Sequence, residues 1–246
     1  MRAFLVTIAT LALFLSGPLI TLASGRVDLT GDWRSASRRT TGLAPDPATH
    51  PGAIVQVYAA RAFNWRGIFG VHSWIAVKPR GAGRFTVYEV IGWRAFHGGD
   101  PVVTSQRDPD ARWYGSRPTV LAELRGAAAA AAIPRIVAAV RAYPYHETYR
   151  IWPGPNSNTF TAFVARRVPA LRLDLPPTAI GKDYLPDGAL FARAPSGTGG
   201  QFSFFGLFGV LAAVEEGLEV NLLGLTLGID PLDLAVKLPG LGRVGL

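Results

Sequence analysis

The sequence predicts an α+β fold, an antiparallel sheet with a few helices, and three observations lead there. Short runs of β-branched and aromatic residues follow one another between residues 54 and 93. Two stretches between 127 and 168 repeat apolar residues at intervals of three and four. Glycine and proline, at 28 and 19 residues, interrupt the chain often enough to favour strands over long helices. An N-terminal apolar helix and a small β-rich C-terminal appendage complete the expected architecture.

The first element is residues 1–24. No charge occurs from Ala3 to Ser24, a length that would reach about 33 Å as a helix. The most apolar part, Phe4 to Leu15, is shorter, and Ser16-Gly17-Pro18 after it reads as a helix breaker. Both a cleaved secretory signal and an uncleaved membrane anchor fit. Arg26, Arg34, Arg38 and Arg39 follow the segment, which on the positive-inside rule would keep the body inside the cell. Asp28 and Asp32 dilute that flank, and the signal-like order of residues favours export. An inner membrane-anchored or periplasmic protein is the expectation, with membrane lipid as a partner.

Residues 25–52, in which Gly25, Gly31, Gly42, Pro45, Pro47 and Pro51 prevent regular structure, read as an extended linker. Residues 53–200 form the expected α+β domain. Ile54–Tyr58, Ile68–Val77 and Phe85–Trp93 are strand candidates, and the turn Pro79-Arg80-Gly81-Ala82-Gly83 makes them a meander. Ala127 to Tyr143 is helical, with Pro134 either starting a second helix or kinking the first. Tyr149–Trp152 looks like a further strand, Asn158 to Val168 like a short helix, and 174–200 like a loop. Residues 201–246 are an apolar, glycine-punctuated segment in which Leu218, Val220 and Leu222 alternate as a strand does. Such a strand needs a partner surface, and a membrane would supply one.

Composition narrows the function classes. With no cysteine, disulfides, zinc–thiolate sites and cysteine nucleophiles are excluded. The four histidines have no metal-ligand spacing, so neither a metal nor a cofactor is expected. The net charge of +8 comes almost wholly from arginine. Residues 201–246 carry five acids against Lys237 and Arg243, which concentrates the positive charge in the first 200 residues. No basic run is interleaved with aromatics, so nucleic-acid binding is not expected. An anionic lipid or acidic polymer suits the charge better.

Two positions could carry chemistry. His72 lies in a strand, with Trp74 and Ala76 on its face and Ser73, Ile75 and Val77 on the other. Ser157 sits where the chain turns into a helix, either as a helix cap or as a nucleophile favoured by the same helix N-terminus. Arg61, Arg66 and Arg94 flank the histidine strands and fit an anionic ligand such as a lipid headgroup. Trp152, Asn156 and Asn158 are the remaining ligand-binding candidates.

Four segments carry a resemblance: Val55 to Arg61, His72 to Lys78, Trp152 to Phe160, and Ile180 to Tyr184. They resemble a bacterial family known as domain of unknown function 3750, which implies no established activity. The order of strand histidine, polar residue and helix-start nucleophile also resembles circularly permuted papain-like proteins of the NlpC/P60 and lecithin-retinol-acyltransferase kind. That resemblance implies a permuted papain-like fold, with His72 as base, Glu89 orienting it, and Ser157 in place of the usual cysteine. A serine hydroxyl is far less acidic than a thiol and needs a well-placed base. Two functions stay open. One is an envelope protein that binds, and in its sharper form hydrolyses, an amide or ester in cell-wall peptide or lipid. The other is a non-catalytic membrane-associated scaffold or interaction protein.

Overall fold

The computed structural model describes residues 1–245. The chain opens with helix α1 (Arg2–Ala23), which runs through Pro18 without ending. The expected breaker does not end the helix: the Ser16 hydroxyl donates to the Leu13 carbonyl at 2.7 Å, and Gly17 and Pro18 pack against the turn at 239–241. Phe14, Gly17, Pro18 and Thr21 form the buried stripe of α1, at spacings of three, one and three. A Cβ on Gly17 would come within 1.9 Å of the Pro239 carbonyl oxygen, so only glycine lets the helix approach that turn. Among the described residues no helix is long and apolar enough to cross a membrane, which corrects the expected transmembrane span. The buried stripe docks α1 on the protein at the turn 239–241.

The family of strands expected from 54 onward extends further than its pattern indicated. Strands β1 (Ile54–Arg61), β2 (Val71–Lys78) and β3 (Thr86–Val90) form the meander, separated by a short helix α2 (Arg66–Phe69) and a hairpin. Helix α3 (Gly92–Phe96) then leads to β4 (Val102–Ser105) and β5 (Thr119–Arg125), giving an antiparallel sheet in the order β4-β3-β2-β1-β5. Strand β2 starts two residues after α2, so Ile68 and Phe69 belong to the helix and not to the strand.

Helices α4 (Gly126–Arg141) and α5 (Ser157–Arg167) cover one face of this sheet. Pro134 lies inside α4, which is one continuous helix. Its buried positions Ala129, Ala132, Ile136, Ala139 and Val140 follow the helical period and meet Val55, Val57, Ile75 and Val77 from the sheet. The other face buries Tyr58, Trp74, Phe85 and Val87 under Leu43, Ala44 and Trp113. Residues 25–52 contain no helix or strand, yet they are strapped down. The Asp110 carboxylate accepts from the Thr40 hydroxyl at 2.7 Å and from the Leu43 amide at 2.7 Å. Tyr149–Trp152 forms no strand, because no neighbouring chain pairs with it and Trp152 turns aside to donate to the Leu223 carbonyl at 2.8 Å.

A second sheet takes up the rest of the chain. Strands β6 (Phe191–Arg193), β7 (Gly199–Phe204), β8 (Phe208–Ala213), β9 (Gly217–Leu222), β10 (Leu225–Asp230), β11 (Ala235–Leu238) and β12 (Gly242–Gly245) are joined by successive hairpins in sequence order. It begins at Phe191, so the expected boundary at residue 200 falls inside β7. The pattern hid β6 because it is three residues long and is followed at once by the turn 194–198. The expected α+β class with antiparallel sheets and few helices describes the molecule.

Candidate functional site

Strand β2 decides the fate of the expected pair. Its alternation puts Ser73, Ile75 and Val77 toward α5: Ser73 Oγ donates to Asn158 Oδ1 at 2.8 Å and lies 2.9 Å from Thr161 Oγ1. His72 therefore points away from α5, and its ring stacks on Trp113 at 3.6 Å between centroids. Ser157 and His72 lie on opposite sides of the sheet. The alternation of His72 with Trp74 and Ala76 is as the residues implied; the face taken by the helix is not encoded in β2. A polar seam of Ser73, Asn158 and Thr161 occupies the place a catalytic pair would need.

Ser157 is not the cap of its helix either. Asn156 is, accepting from the Asn158 and Thr159 amides at 2.9 and 3.1 Å while the Thr159 hydroxyl accepts from the Asn156 amide at 3.1 Å. The ligand-binding candidates nearby are engaged in holding the chain together. Asn156 donates to the carbonyls of Ile151 and Ile180, and Asn158 to those of Val71 and Ile180. Both asparagines are buried. Together they lock three separate segments, which leaves no amide to face a ligand. Arg61 donates to the carbonyls of Gly67 at 3.0 Å and Leu241 at 3.1 Å, and to that of Gly240, so its guanidinium ties the second sheet to the first. Arg94 is exposed and donates through Nε to the Asp100 carbonyl at 2.8 Å.

Glu89 and His72 do meet, on the face covered by Trp113. His72 Nε2 is 3.1 Å from Glu89 Oε2, and Arg107 donates twice to Glu89 Oε1 at 3.2 Å. Burial pushes the His72 imidazole below its ordinary value, against the pull of Glu89. Burial also raises Glu89, but the hydrogen bond from His72 and the permanent charge of Arg107 outweigh it and hold the carboxyl below the usual range. Glu89 thus lies between the His72 ring and the Arg107 guanidinium, one carboxylate oxygen facing each. Arg107 and Trp113 were not legible beforehand, because they stand in a loop with no periodic pattern. Among the described residues, no group of three or more histidine, aspartate or glutamate side chains is placed to hold a metal ion.

The matched region is the first sheet with its two helices. Residues 52–184, just over half of the chain, match the family described as Protein of unknown function (DUF3750). The chain belongs to this family. The DUF3750 region takes in the His72–Glu89–Arg107 cluster and the Asn156–Asn158 lock, and it stops before the second sheet. No curated protein and no solved structure matches the chain.

Beyond the DUF3750 region the second sheet is built with its polarity reversed. Toward the body it presents Gln201, Ser203, Glu219, Asn221, Asp230 and Lys237, all buried. Lys237 Nζ donates to Asp174 Oδ1 at 2.7 Å and to Glu219 Oε1 at 2.8 Å, and Glu219 also pairs with Lys182. Gln201 pairs with Asp183 and accepts from Arg166 Nη2 at 2.6 Å. Burial raises the Asp174 carboxyl to about 6 despite Lys237 and Lys182 beside it. The outward side of the same strands is apolar: Phe204 is 50% exposed, Phe208 44%, Leu218 46% and Ile229 53%. Val210 and Val220 stand opposite one another in its centre. Helix α1 has the same reversal, with Phe4, Leu5, Ile8, Leu19 and Ile20 exposed. It is joined to the sheet where the Thr21 hydroxyl donates to the Gly240 carbonyl at 3.0 Å.

Proposed function

We propose that this DUF3750 protein is a non-catalytic, membrane-associated interaction protein that lies on a lipid surface through the outward face of its second sheet. The observation that carries this is the reversed polarity of β7–β11. The five strands β7–β11, about 4.8 Å apart, make a face roughly 19 Å wide, and at ~3.3 Å per residue along strands of about six residues it covers roughly 400 Å², a large apolar patch for a soluble monomer. Water on that face is costly, and the polar face cannot be exchanged for it without stranding Lys237, Glu219 and Asp174.

A bilayer suits both apolar surfaces, the sheet and α1, because lipid needs no shape complementarity. A protein partner would have to match a sheet and a separate helix together. Lying in the headgroup and acyl boundary fits α1, whose polar stripe is already taken by the protein. An envelope location follows from the same reading. Hydrolysis of an amide or ester is not part of it, since the serine that would attack lacks an imidazole beside it.

Flotation of the full chain with phospholipid vesicles tests the proposal. The parent protein should float, and a Val210→Lys/Val220→Lys double variant should not, with its thermal unfolding little changed because both positions are exposed. A parent protein that stays in the aqueous fraction, or that forms a stable dimer masking the face, would count against lipid as the occupant.

A further inference from the structure

We infer that the lipid is anionic and that its headgroup phosphates are met by Arg26, Arg66 and Arg94, set among Trp65, Trp93 and Phe96 at the end of α1. This rests on the membrane reading above and adds the class of lipid and the residues that select it. The six side chains come from three separate segments at one end of the first sheet. All six are exposed.

The chain leaving α1 carries Arg26, and Val27 packs against Gly67 in α2, where a Cβ would sit 3.2 Å from the valine methyl. The Asn64 amide donates to the Leu29 carbonyl at 3.0 Å and secures the same join. Arg66 lies over the Trp65 ring at 5.0 Å, and α2 leads into β2 at the same end of the sheet as β3 gives way to α3, where Tyr149 packs against Gly92. Tyr149 meets Phe96 edge-on at 5.8 Å between centroids, which brings in α3 with Trp93 and Arg94. Exposed tryptophans beside arginines are what the boundary between water and acyl chains takes up. The indole sits at headgroup depth, and the guanidinium binds phosphate oxygens in pairs.

The nearby carboxylates Asp28 and Asp100 form no ion pair with these arginines among the described residues. Asp28 folds onto the Thr30 and Gly31 amides, at 2.8 and 3.0 Å. Asp100 accepts from the Val102 amide at 2.7 Å and faces His146 Nδ1 at 2.8 Å. Arg66 has no carboxylate among the salt bridges of the described residues, nor do Arg26 and Arg94. The patch borders α1, so a bilayer covering the helix also reaches the arginines.

The test is binding of the full chain to vesicles of phosphatidylcholine alone and of phosphatidylcholine with phosphatidylglycerol, at low and high salt. Binding to the anionic vesicles should be at least ~10-fold tighter at low salt and should lose that advantage at high salt. The R26Q/R66Q/R94Q variant should lose the preference while still binding neutral vesicles, and R26K/R66K/R94K should keep most of it. R84Q, on the β2–β3 hairpin, is the control and should change nothing. Equal binding of the parent to both vesicles, or a preference surviving in the glutamine variant, overturns the anionic-lipid assignment alone. Binding to neither vesicle overturns the membrane reading itself.

Discussion

At the scale of single residues, Asn158 and Ser157 are neighbours with opposite expected weights. Asn158 serves the Val71 and Ile180 carbonyls and accepts from Ser73, all in buried surroundings. Asn158→Ala strands these groups away from water, and each buried group left unpaired costs ~1–3 kcal/mol. Urea unfolding should therefore show Asn158→Ala destabilised by about 2–4 kcal/mol. Ser157→Ala should stay within ~1 kcal/mol, since Asn156 and not Ser157 caps the helix. A large loss at Ser157 with none at Asn158 would contradict the assignment. The residue pattern gave Ser157 prominence because helix caps and nucleophiles share a position. What it could not convey is which face of β2 the helix would choose, and that choice separates Ser157 from His72. Glu89 was legible as the carboxylate nearest His72 in the meander, whereas Arg107 reaches the pair from an irregular loop.

At the scale of elements, the second sheet is held by charge on one side and left apolar on the other. Alternation at Leu218, Val220 and Leu222 made the strand readable. The strand alone does not encode which way these residues turn; they face outward because Lys182, Asp174 and Arg166 line the body beneath and take the polar side. Strands β4 and β5 were not legible: four residues in one, and no buried side chain in the other, leave no apolar alternation. Asp174 offers a test of the polar side. Its folded-state value of about 6 exceeds the ordinary aspartate value, so the folded state holds the proton more tightly. The stabilisation this gives is complete below the unfolded value of ~3.9 and is lost as pH rises through about 6. Glu219, held below its usual value, works in the opposite sense at lower pH. Between pH 4 and 6 the unfolding free energy of Asp174→Asn should rise relative to the parent by up to ~3 kcal/mol. A difference that stays flat over that window would mean Asp174 is not buried against the sheet.

At the scale of the whole molecule, the DUF3750 region supplies a closed, two-faced core, and the flanking α1 and second sheet supply apolar surface that the core does not use. Arg61 joins the core to the second sheet through the turn at Gly240, and Thr21 joins α1 to the same turn. Because the chain lacks cysteine, single cysteines can be introduced for labelling without background. On a membrane, the outward face of β8 and β9 is expected to lie in lipid. An environment-sensitive label at Val220→Cys, read on vesicles carrying a lipid-attached quencher, measures this directly, with Ala82→Cys on the β2–β3 hairpin as reference. The Val220 label should shift to shorter wavelength and be quenched, while the Ala82 label does neither. A Val220 label that stays in water while the protein is bound to vesicles would contradict the claim.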